Sequence, residues 1–233
     1  MLKHNKAVYR HFKELIKQFI DEDESGSAKA FFTNPIQYNG NEFIHNCYDL
    51  FDNIRIYCGA TKICIVEEDY PYVLKIGFVC DEGFAGKYYT NEVEIPLHID
   101  NYCFLEAYLY ERAKGYGVQD ILAETVYLGT YLKVAMFCAA KFEVDPTQID
   151  DDVYSCRSDY DGDFSEDSEE NINCLLNMYG YADKVNLFWL FAQDYDLGDF
   201  HNENWGYGGN DLKCIDFSGY VGGISGKKRR KIA

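Results

Sequence analysis

The sequence predicts an α+β fold: a small antiparallel sheet with a single helix laid across it, followed by a helical C-terminal part. Three observations carry this reading. Residues 51–79 hold three runs rich in Ile, Val and Tyr, IRIYC, KICIVEE and YVLKIGFV, separated by short turn signals, the pattern of three antiparallel strands. A helix capped by Asp100 or Asn101 then runs to about Lys114, where Gly115 and Gly117 stop it, and two more strand-like runs follow, ILAETVYLG and TYLKVAMFC. Beyond residue 170, NINCLLNMYGY and ADKVNLFWLFAQDY repeat apolar residues at helical spacing.

The elements take their places in order. Val8, Phe12, Leu15, Ile16, Phe19 and Ile20 make one apolar stripe with Lys and Arg opposite, an amphipathic helix that packs on the body of the protein. EDESGSAK, residues 22–29, reads as a linker by composition. The chain therefore divides into an N-terminal helix with its linker (1–45), a sheet-bearing part (46–140) and a helical part (141–233). Residues 145–170 carry eleven acids against the single Arg157 and are expected to form a solvated loop or insertion. Asp159, Asp161, Asp163 and Glu170 fall at ligand positions of a calcium loop. Phe164 occupies the position where such a loop needs glycine, so a solvated acidic loop is the better reading.

Composition bounds the function. At 233 residues, with 47% hydrophobic and 17% aromatic residues, the chain can bury a substantial core. A net charge of -17 argues against direct attraction to nucleic-acid phosphates, and suits a nucleic-acid mimic or the binding of a basic partner. The nine cysteines are scattered singly with no CxxC pair, which argues for free thiols in a reducing cytoplasm and against a zinc cluster. The first twenty residues interleave Lys and Arg with apolar residues, so neither a signal peptide nor a membrane contact is expected. The terminal GKKRRKIA reads as a frayed basic tail.

The chemistry concentrates in GDFHNENWGYGGNDLKCIDFSG, residues 198–219. Asp199 and Asn204 stand five apart after a helix, and Asp216 closes the apolar run LKCIDF. Phosphoryl transfer needs oxygen ligands for Mg²⁺ and a carboxylate to accept the acceptor's hydroxyl proton, and an Asp, an Asn and a second Asp supply that set. These residues resemble the protein-kinase-like superfamily, with its D-x-x-x-x-N catalytic loop and D-F-G metal motif. The form GDxHxxN is similar to the aminoglycoside and choline phosphotransferase branch. The resemblance implies a bilobal fold, with Asp199 as catalytic base, His201 as a brace of the loop, and Asn204 and Asp216 as Mg²⁺ ligands. It also implies ATP as cofactor, with Lys75 of YVLKI on the α and β phosphates and Glu106 of the following helix as its partner; Glu111 is the weaker candidate. By strand order, the backbone from Met136 through Phe137 and Cys138 to Ala139 would receive the adenine.

Departures from the pattern leave two functions open. YCGATK offers Gly59 alone where the family has a glycine-rich loop, the metal motif reads Asp216-Phe217-Ser218, and seventeen residues follow Asp216, which implies a reduced C-terminal lobe. The first reading is an ATP- and Mg²⁺-dependent phosphotransferase acting on a hydroxyl acceptor. The second is a pseudokinase whose acidic surface binds and inhibits a basic protein.

Overall fold

The computed structural model describes residues 5–34, 40–59, 62–77, 101–157, 169–195, 197–198 and 200–217. It is a mixed α+β fold whose contacts divide into two units. The first comprises Met1–Tyr110 with Glu124–Lys141, the second Glu111–Ala123 with Phe142–Ala233.

The first unit is built on five antiparallel strands, β1 (Ile54–Cys58), β2 (Lys62–Glu67), β3 (Tyr72–Gly77), β4 (Thr125–Tyr131) and β5 (Val134–Ala140), in the spatial order β1-β2-β3-β5-β4. Alternation along each strand gives the sheet two faces. On one face Ile56, Ile65, Leu74 and Met136 share a core with Phe12, Phe19, Phe31 and Phe43. Those four rings come from α1 (Asn5–Glu22), α2 (Ser27–Thr33) and α3 (Gly40–Cys47). The apolar stripe expected on α1 is the face it buries: Val8, Phe12, Leu15, Ile16 and Phe19 are buried. Each such side chain contributes on the order of 1.5–3 kcal/mol of transfer free energy. On the other face Phe137 and Ala135 pack against Cys103, Phe104 and Ala107 of α4 (Asn101–Tyr116). The sheet is thus a layer between α1–α3 and the start of α4.

The segment read as a linker is an ordered turn between α1 and α2. The Asp23 carboxylate accepts the Ala28 N–H at 2.7 Å, the Ser25 N–H at 3.0 Å and the Ser27 hydroxyl at 2.9 Å, and Gly26 supplies the left-handed residue at φ 77°. Burial pushes the Asp23 carboxyl up, but the bonds from Ser25, Ala28 and Ser27 outweigh it and hold the group below its ordinary value.

The second unit contains α5 (Pro146–Cys156), α6 (Glu169–Met178), α7 (Val185–Asp194) and a hairpin of β6 (Trp205–Gly208) and β7 (Asp211–Cys214). Helix α5 corrects the expectation of an acidic loop from residue 145. Asp145 caps it by accepting the Gln148 N–H, Pro146 opens its first turn, and Ile149 and Val153, four apart, are buried. Asp159, Asp161 and Asp163 lie outside the described residues, whereas Glu170 sits in α6 with its carboxylate 2.9 Å from Arg157. The basic tail also lies outside the described residues.

Candidate functional site

Two clusters hold the residues singled out by sequence. In the first unit, Lys75 is on β3 and Glu106 is one turn into α4. Strand alternation puts Lys75 on the face that α4 covers, because its neighbours Leu74 and Ile76 point into the opposite core. Lys75 donates to Glu106 Oε2 at 2.8 Å, with side-chain exposures of 6% and 0%. Glu111, five residues further on, is exposed and pairs with Lys114 of its own helix.

Two residues that the sequence reading missed complete this cluster. Lys62, the first residue of β2, donates to Glu106 Oε1 at 2.5 Å, and Thr125 of β4 donates to Glu106 Oε2 at 3.0 Å. The signal for Lys62 was present in register. Cys64 pairs with Lys75, so two residues back along β2 brings Lys62 to the same face. Cys103 lies fully buried beside this cluster. Burial pushes its thiol well above the ordinary value and Glu106 adds to that, while Lys62 and Lys75 oppose it.

Gly59 closes the β1–β2 turn, donating its N–H to the Lys62 carbonyl at 3.0 Å. A Cβ there would meet the same carbonyl at 3.9 Å, an ordinary contact among the described residues. Met136, Phe137 and Cys138 require a correction. They lie inside β5, a central strand: Phe137 pairs with Lys75 and Tyr127, Cys138 with Leu74 and Val126, and Met136 with Gly129. Their backbone groups belong to the sheet ladder and their side chains are buried, so they offer no edge to an adenine. The strand ends at Ala140, and the chain leaves the first unit after Lys141.

In the second unit Asn204 and Asp216, expected from sequence to be metal ligands, flank the β6–β7 hairpin. Asp199 itself lies outside the described residues. The Phe200 carbonyl accepts the Trp205 indole N–H at 3.1 Å, and the Phe200 ring is buried near Phe188, Trp189 and Trp205. His201 precedes a single 3₁₀ turn, Asn202–Asn204, closed by the Asn204 N–H on the His201 carbonyl at 3.0 Å. Asn204 is buried, and its carbonyl accepts the Ile215 N–H at 2.8 Å, which brings the residue before Asp216 beside it at the open end of the hairpin. Asn204 and Asp216 therefore lie just outside the two strands, Asn204 immediately before β6 and Asp216 two residues after β7. Ser218 lies outside the described residues.

The hairpin is pinned from several sides. Tyr207 exchanges backbone bonds of 2.7 and 2.8 Å with Glu143, and Cys214 donates to Ile121 at 2.8 Å. Gly206 and Gly208 admit the Phe142 side chain so closely that an added Cβ would lie 2.7 and 2.8 Å from it. Helix α5 supplies two carboxylates: Asp152 accepts the Tyr179 and Tyr207 hydroxyls at 2.6 and 2.8 Å, and Asp150 accepts the Asn202 amide at 3.2 Å. Burial and the hydrogen bond to Asp152 push the Tyr179 phenol up to about 12.

The chain was compared with family models, curated proteins and solved structures, and nothing matched. Among the described residues no helix is long and apolar enough to cross a membrane, and no group of three or more His, Cys, Asp or Glu side chains is arranged to hold a metal ion. No disulfide joins the eight cysteines among them.

Proposed function

We propose that the protein is an ATP- and Mg²⁺-dependent phosphotransferase of protein-kinase-like type, bilobal, with the first unit as the nucleotide-orienting lobe and the second as the catalytic lobe. The observation that carries this reading is the buried Lys75–Glu106 pair. A strand lysine and a helix glutamate, named from their motifs alone, meet at 2.8 Å with almost no exposure. A buried ion pair is expensive to assemble and adds little to stability, so its presence speaks for a use beyond packing.

In this reading Lys75 offsets charge on the α and β phosphates, and Glu106 fixes where its ammonium sits. Asp199 accepts the proton of the attacking hydroxyl, and the 3₁₀ turn from His201 to Asn204 holds the loop in shape. Asn204 and Asp216 offer an amide oxygen and a carboxylate, hard donors of the kind Mg²⁺ takes, with water and phosphate oxygens completing its shell. The ion, when bound, neutralises charge on the transferred phosphoryl group. The Asn204–Ile215 bond supports this pairing of ligands, since it ties the two positions together.

Incubation of the purified protein with Mg²⁺ and γ-labelled ATP, alone and with a cell extract, tests the proposal. Transfer of label by the parent and its loss in Asp199→Ala and Asp216→Asn is the expected outcome. The net charge of -17 and the single glycine in the β1–β2 turn favour the pseudokinase reading. Its signature is a parent that transfers no label and instead captures a basic protein through its acidic surface.

A further inference from the structure

In a chain whose net charge is -17, the first half of α1 presents a basic side. Lys6, Arg10 and Lys13 stand four and three residues apart along it, a row of about 10 Å in which like charges repel one another. Lys6 and Arg10 are exposed, and the Lys13 ammonium lies 5.2 Å from the centre of the Tyr131 ring.

These cations line one wall of an open groove of about 610 Å³, and Leu128, Gly129 and Thr130 of β4 line the other. The walls are fitted to each other. The Tyr9 hydroxyl donates to the Thr130 carbonyl at 3.0 Å, and Gly129, at φ 142°, admits the Tyr9 ring so closely that an added Cβ would lie 3.0 Å from it. Glu14 also lines the groove, but it lies 3.2 Å from Lys17, and among the described residues Lys6 and Arg10 have no acidic partner.

A volume of this size falls within the range of small-molecule sites. Arg10 offers a planar fork that takes an oxyanion bidentately, and the lysines before and after it are compact point charges. A phosphate group offers three acceptor oxygens, so a short chain of phosphates suits a row of three cations. The remainder of the chain is strongly acidic, and a nucleic acid or an anionic membrane meets repulsion wherever it leaves the groove. A compact anion stays within the local field, because charges beyond about 8 Å are largely screened at physiological ionic strength.

We propose that the groove between α1 and β4 binds a compact phosphate-bearing anion, a di- or triphosphate, with Arg10 at its centre and Lys6 and Lys13 on its flanks. The site is independent of the phosphotransferase reading, since α1 packs on the sheet face opposite α4, which carries Glu106.

Titration calorimetry of the full-length chain with inorganic tripolyphosphate tests the proposal, with citrate and a hexaglutamate peptide as the competing anions. The parent is expected to bind tripolyphosphate most tightly of the three. Arg10→Gln should weaken that binding about 10- to 100-fold, the loss of a hydrogen bond between charged groups, and Lys6→Gln and Lys13→Gln about 10-fold each. Arg10→Lys should recover much of the loss. Lys17→Gln, outside the groove, and Lys75→Met, on the other face of the sheet, should leave the Arg10-dependent binding unchanged. Arg10 is exposed, so the fold survives its replacement. A parent that binds no tripolyphosphate overturns the proposal. So does a loss confined to Lys75→Met with Arg10→Gln at parental affinity, an outcome that leaves the phosphotransferase reading standing. Tighter binding of citrate or hexaglutamate through Arg10 overturns the assignment to phosphate.

Discussion

Both units contain a cluster of lysines and carboxylates, and the two are built differently. In the first, Lys62, Lys75 and Thr125 converge on Glu106, with ionic side chains no more than 6% exposed. In the second, the Tyr181 hydroxyl donates to Asp211 at 2.6 Å and Lys213 lies 2.7 Å from the same carboxylate, while Lys184 pairs with Asp120. There the exposures run from 14% for Lys213 to 49% for Asp211. The half-exposed network ties the hairpin to residues 120 and 181 and is screened by water, so folding accounts for it. The enclosed one is far costlier to desolvate, which is why the proposed function is built on it. Depth, more than the number of charges, separates the two clusters.

The largest expected effect comes from breaking the enclosed cluster. Glu106→Ala removes the carboxylate that both ammonium groups bond and should lose on the order of 3–5 kcal/mol, read by urea denaturation. A smaller change would put the depth argument in question. Tyr181→Phe comes next at about 1–2 kcal/mol, since it removes one phenolic donor from Asp211.

Acid titration of stability sharpens the contrast further. Burial pushes the Asp211 carboxyl up, but the bonds from Lys213 and Tyr181 outweigh it and hold the group below its ordinary value. A carboxyl lowered in the folded state stabilises fully above its unfolded pKa of about 3.9, and that contribution disappears as pH falls through the folded value. Asp211→Asn should therefore flatten the fall in stability below about pH 4, by less than 1 kcal/mol after allowance for solvent screening. The smallest effect is Glu111→Ala, within about 0.5 kcal/mol, because its pair with Lys114 is exposed and three residues apart on one helix. A large loss there would mean that the two glutamates of α4 have been assigned the wrong way round.

Much of this contrast was legible in the sequence. The three strand runs and the following helix lie where the β-branched and aromatic composition and the turn residues placed them, whereas the second strand pair is displaced along the chain, β4 at Thr125–Tyr131 and β5 at Val134–Ala140. Glu106 was preferred over Glu111 on helical spacing, and the ion pair to Lys75 agrees with that choice. Lys62 escaped notice because its meaning lies in the cross-strand register, which no single strand reveals. Helix α5 was hidden by composition: its acids suggest a solvated loop, while the Asp145-Pro146 start and the Ile149, Val153 pair that make it a helix are few and local. The adenine assignment failed for a related reason, since strand order alone does not say where β5 ends, and Met136, Phe137 and Cys138 are interior to it.

Trp205 is fully buried, immediately follows Asn204, and grips the Phe200 carbonyl through its indole. The sequence contains two tryptophans, and the other, Trp189, donates to Asn173 from α7. A Trp189→Phe variant would leave a single tryptophan, excitable apart from the 21 tyrosines, bolted to the loop that carries the motif. Its emission would then report directly, without any label, whether nucleotide or Mg²⁺ disturbs that loop.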